Sequence, residues 1–150
     1  MKLAEALQER ADLNRNIEQL RSRLINNALV QENEKTAEDP KSLIKELDGS
    51  VMRLEELMRR INQTNCATVC NGVTITELIA RKDALKVKIS VYKDLVESAS
   101  QTARRARMSE IKILSTVDVR KLQKQIDDMS KELRVTDNTI QSLNWSTELI

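Results

Sequence analysis

Two thiols, two displaced cations and one basic run are the residues of this 150-residue chain with chemistry to offer. Cys66 and Cys70 stand four positions apart. On a strand their Cα atoms lie about 13 Å apart, beyond disulfide reach, whereas on a helical turn the side chains meet. A zinc centre needs two further Cys or His ligands. The chain has only these two Cys and no His, so the pair would have to meet its copy across a dimer axis. Arg10 and Lys82 each fall where a helical pattern calls for an apolar residue. A charge there either reaches solvent along its stem or finds a partner, and Glu55, Glu56 and Asp137 are the candidate partners. Such a polar layer would fix register or line an oligomer contact. Arg104-Arg-Ala-Arg107, with Lys86, Lys88 and Lys93 before it, suits either a solvated helix end or contact with phosphate backbones. Asn62-Gln-Thr64 and Asn144-Trp-Ser146 match the glycosylation triplet, which has a consequence only in a secreted chain.

Composition narrows these options. Without His, the commonest general base and the commonest metal ligand are missing, and the chain has neither a phosphate-cradling glycine loop nor a nucleophile elbow. The reading is a non-enzymatic protein that needs no cofactor and has no catalytic, cofactor-binding or metal-binding residues. Basic and acidic residues nearly balance, 25 against 23, so no field of one sign dominates. One Trp, one Tyr and no Phe leave single-stranded nucleic acid without stacking platforms, and polar faces of mixed charge argue against a membrane-lying helix. The longest uncharged run, Ile61 to Thr76, has 16 residues and several polar side chains, too few and too polar to cross a bilayer. The first residues enter an amphipathic pattern dotted with acids, unlike a secretory signal, which places the protein in the cytoplasm.

The elements that would position these residues follow from periodicity. Apolar residues at intervals of three and four predict helices over about 2–31, 40–62, 76–108 and 118–144. The first stripe runs through Leu3, Ala6, Leu13, Ile17, Leu20 and Leu24. The second runs through Leu43, Leu47, Val51, Leu54, Met58 and Ile61, with Ile44 and Leu57 beside it. The third joins Leu78, Leu85, Ile89, Tyr92 and Val96 to the small residues Ala99, Ala103 and Ala106. The fourth passes through Leu122, Ile126, Met129, Leu133, Thr136 and Ile140. Asp39-Pro40 and Asp118 mark helix starts, and Thr74 with Glu77 forms a candidate capping box, with Thr76 as a competing cap. Between the second and third helices, Asn71-Gly72 predicts a type I′ hairpin over about 66–76. Few glycines and aromatics argue against β and α/β folds. The fold class is therefore mainly all-α. It is an antiparallel four-helix bundle of long coiled-coil-like helices in one domain, 1–150, with a small β-hairpin insert. The segment from Trp145 to Ile150 is expected to fold back onto it.

With these elements placed, the chain resembles a family of small, uncharacterised bacterial helical proteins, some of which carry the label septicolysin. The resemblance rests on Ala6-Leu-Gln-Glu-Arg-Ala-Asp-Leu-Asn14, Leu78-Ile-Ala-Arg-Lys-Asp-Ala-Leu85, Ser109-Glu-Ile-Lys-Ile-Leu-Ser-Thr-Val-Asp118, Leu122-Gln-Lys-Gln125 and Asn144-Trp-Ser-Thr-Glu-Leu149. It implies a helical protein without an established activity, and it transfers no catalytic residue. Thiol-activated lysins are larger, β-rich and Trp-dependent at membranes, so their activity is not carried over either. The functional expectation is a homo-oligomeric helical scaffold or an interaction module with a helical partner. The alternative is a membrane-active or nucleic-acid-associated protein. Val69, Val73 and Ile75 at the hairpin, and Ala99, Ala103 and Ala106 on the third helix, are the candidate self-association residues.

Overall fold

Local start signals determine where the helices begin. A computed structural model describes residues 1–101 and 111–150. It contains α1 (Leu3–Asn26), α2 (Pro40–Ala67), α3 (Ile75–Ala99) and α4 (Val119–Ser146), with a hairpin of β1 (Val69–Cys70) and β2 (Val73–Thr74) between α2 and α3. The Asp39 carboxylate accepts from the Lys41 amide at 3.2 Å and from the Ser42 hydroxyl at 2.9 Å, and Pro40 fills the first helical position. Asp118 does the same for α4, accepting from the Lys121 amide at 3.1 Å. Thr74 immediately precedes α3, with Glu77 in its first turn. The hairpin pairs Val69 with Thr74 and Cys70 with Val73 in antiparallel register. Positive φ at Asn71 (51°) and Gly72 (82°) is the type I′ turn that this dipeptide predicts. Among the described residues, four long helices and a small hairpin make the expected all-α architecture.

Helix ends depart from the sequence expectation. α1 stops at Asn26 instead of continuing to about 31, because Asn27 turns its side chain back on the helix. The Asn27 amide group donates to the Arg23 carbonyl at 2.8 Å, and its carbonyl oxygen accepts from the Glu38 amide at 3.0 Å. α2 runs five residues beyond 62, since Thr64 takes a buried position and its hydroxyl donates to the Arg60 carbonyl at 2.8 Å. Among the described residues α3 ends at Ala99, where the Ser100 hydroxyl and amide both donate to the Val96 carbonyl. The expected continuation to 108, with Ala103, Ala106 and the run Arg104 to Arg107, lies outside the described residues. Residues 111–117 are neither helical nor paired in a strand.

The chain divides into two compact units, residues 1–74 with 143–150 and residues 75–142. In the first unit α1 and α2 run antiparallel, as the cross-helix pairs Glu9 with Arg53, Asn16 with Ser50 and Arg23 with Glu46 require. Leu3, Ala6, Leu20, Leu43, Leu57 and Ile61 are buried. The buried row of α2 is rotated from the expected one. Leu57 is fully buried beside an exposed Met58, and half-buried Ser50 replaces exposed Val51, with the Asn16 side-chain amide 3.5 Å from its hydroxyl. The unit is closed by the segment that follows α4, which folds back as expected. The Leu3 amide donates to the Thr147 carbonyl and the Leu149 amide to the Met1 carbonyl, both at 2.9 Å. Arg60 donates to the Ile150 oxygen at 2.7 Å, and the Ile150 amide donates to the Thr64 hydroxyl at 3.0 Å.

In the second unit α3 and α4 are joined by Arg81 with Glu132 and Lys82 with Asp137. Ile75, Ile89, Ile126, Thr136 and Ile140 are buried there. Among the described residues, no helix is long and apolar enough to cross a membrane.

Asn27 carries a stability prediction. Its side chain adds a second donor to the Arg23 carbonyl, which also accepts from the Asn27 backbone amide, and it is the acceptor for the Glu38 amide in the following loop; the residue is buried. Replacing Asn27 by Ala is expected to cost about 1–3 kcal/mol in urea denaturation, the penalty for leaving the Glu38 amide unpaired. An unchanged midpoint would show that solvent satisfies that amide.

Candidate functional site

The expected polar layer resolves into separate clusters. In the second unit the Lys82 ammonium lies 3.1 Å from an Asp137 carboxylate oxygen, and the lysine side chain is only 20% exposed. The two line a shallow cleft of about 230 Å³ with Lys86, Ser130, Leu133 and Arg134. Three cations against one carboxylate give this cleft a preference for anions over cations. Arg10 and Glu55 belong to the first unit and hold no ion pair among the described residues. The cross-helix ion pair at this level belongs to Glu9, the neighbour of Arg10. Both Glu9 oxygens accept from the Arg53 guanidinium, at 2.6 and 2.9 Å, and a third Arg53 nitrogen reaches Glu56 at 2.8 Å. Glu56 also faces Arg60 at 3.7 Å. The hydrogen bonds from Arg53 hold the Glu9 carboxyl below its usual range, and those to Glu9 and Glu56 raise the Arg53 guanidinium.

A second cluster closes the opposite end of the α1–α2 pair. Arg23 grips Glu38 through two nitrogens, at 2.6 and 3.1 Å, and lies 3.9 Å from Glu46. These hydrogen bonds hold Glu38 below the usual carboxylate range. Neither this grip nor Glu9 with Arg53 follows from the apolar stripe. The signal for the latter is positional: Glu9 and Arg53 flank the stripes of two antiparallel helices with opposite signs.

The self-association candidates are dispersed. Val69 is exposed, Val73 and Ala99 are half-buried, and Ile75 is fully buried at the start of α3, out of reach of a second copy. Ala103 and Ala106 lie outside the described residues. Cys66 sits in the last turn of α2 and Cys70 in β1, and neither is in a disulfide. No group of three or more Cys, Asp or Glu among the described residues is placed to hold a metal ion.

A surface the stripe analysis passed over lies on α3. Leu78, Leu85, Ile89, Tyr92 and Val96 are buried or half-buried, yet Val87 is 66%, Val91 59% and Leu95 40% exposed on the opposite side. Exposed Ala80 and Ala84 extend that row toward the start of the helix. At 100° per residue, 80, 84, 87, 91 and 95 share one face. What the structure presents is thus a set of helical pairs with structural ion pairs and an apolar outer row.

The fold and these surfaces define a small all-α protein. A family model described as a family of unknown function, DUF6847, matches residues 10–149, and the chain belongs to that family. It is similar to a functionally unknown conserved protein from Corynebacterium diphtheriae, known from a crystal structure. The two are 40% identical, the match covers 100% of this chain and 99% of that chain, and the TM-score is 0.91. No curated protein matches the chain.

Proposed function

We propose that the protein is a non-catalytic, homo-oligomeric helical interaction module acting in the cytoplasm. The reading rests on one observation, the exposed apolar row of α3 opposite its buried row. A surface helix ordinarily buries one stripe and wets the other, and a helix apolar on both sides has a second surface to cover. The resemblance to proteins labelled septicolysin adds no activity to this reading. Sedimentation equilibrium tests it. At about 10 μM and about 100 μM protein the mass is expected to rise to at least twice 17.2 kDa. Replacing Val87 and Val91 by Lys is expected to return it to the monomer with helix content unchanged. A monomer persisting at the higher concentration would refute self-association.

A further inference from the structure

We propose that the outer row of α3 is covered by the same row of a second copy, with the two helices parallel across a two-fold axis. The inference rests on the self-association reading above and adds its geometry. From Arg81 to Asp94 the outer row is bordered by charges of opposite sign on its two sides: Asp83 and Asp94 along one edge, Lys88 and the Glu132-paired Arg81 along the other, with Glu77 on that second side one turn earlier. A two-fold axis parallel to the helices brings the acidic edge of each copy against the basic edge of its partner. An axis perpendicular to them brings like edges together, acid on acid and base on base. The first arrangement is attractive and the second repulsive, so charge selects the parallel pair.

Register supports the same choice. In a parallel pair a flanking residue faces the opposite flank of its partner about one and a half turns further on. Asp83 and Lys88 stand at that separation and border Ala84 and Val87. Neither holds an ion pair among the described residues, and Lys88 makes only a cation–π contact with Tyr92, its nitrogen 5.5 Å from the ring centre. Ala80 and Ala84 let the helix axes approach closely, while Val87 and Val91 supply the branched apolar surface between them. By symmetry the pair forms twice, Asp83 to Lys88 in each direction.

Charge exchange tests this geometry in the full-length chain. Asp83→Lys and Lys88→Asp are both solvent-facing changes, so helix content should stay constant. Each single change places like charges opposite one another at two symmetric positions. It is expected to weaken self-association about tenfold by sedimentation, an effect that shrinks in high salt. The double variant D83K/K88D restores opposite charges and is expected to recover the original affinity within about threefold. Single variants that leave the dimer unchanged would overturn the parallel geometry while leaving self-association standing. So would failure of the double variant to recover, and a single variant that tightens the dimer would assign the perpendicular axis. A wild-type chain that stays monomeric removes both proposals at once.

Discussion

Replacing Leu57 by Ala is expected to cost about 2–5 kcal/mol, and replacing Met58 by Ala less than about 1 kcal/mol. The two neighbours differ in burial, not in size: Leu57 is 0% and Met58 47% exposed. A truncated Leu57 leaves a cavity whose walls relax only in part, while solvent fills the space left by Met58. Urea denaturation of the two variants reads the difference directly. Equal losses would mean that both residues border the seam and that the buried row of α2 is the broader one the sequence suggests.

Removal of Thr147–Ile150 should be of comparable size, about 3–6 kcal/mol. Leu149 is 8% exposed, and its burial alone accounts for about 1.5–3 kcal/mol. The deletion also strips the acceptor from the amide of Leu3, a fully buried residue, while the fully buried Thr64 hydroxyl loses the Ile150 amide but keeps its bond to the Arg60 carbonyl. An unpaired amide of this kind costs about 1–3 kcal/mol unless water reaches it. Glu148 is the control, because its contacts with Lys2 and the Met1 amino group are solvent-exposed. Glu148→Gln should leave the thermal midpoint nearly unmoved. A truncated chain that melts with the wild type would show that this segment decorates the first unit without closing it.

What could be read without coordinates was what short stretches of chain decide for themselves. Asp39-Pro40, Asp118 and Asn71-Gly72 act through their own backbone, and each lies where it was expected. The row of α2 needed knowledge of a partner. Val51 and Met58 are bulkier and more apolar than Ser50, so periodicity favours them, but Ser50 has Asn16 opposite and they have no such partner. Arg10 is half-buried without an ion pair among the described residues, while Glu9 beside it has the geometry to meet Arg53, which no apolar stripe reveals. The end of α1 depends on a side chain, Asn27, whose second partner is eleven residues away. The outer row of α3 was hidden because a helix apolar on two sides has no single stripe to find.

The closure of the first unit by residues 143–150 has a consequence for synthesis. A ribosome releases α1 and α2 early, and the Leu3 amide and the Met1 carbonyl then wait for the Thr147 carbonyl and the Leu149 amide, which are made much later. The intervening residues, 75–142, form a contiguous unit that can pair locally as it emerges. Bringing Met1 to Leu149 instead closes a far longer loop, and its entropy is lost only after residues 75–142 have been translated. Until then Leu3 and Thr64, both buried in the finished protein, lack the partners this segment supplies. The nascent chain is thus most exposed to proteases and to chaperones along α1 and α2.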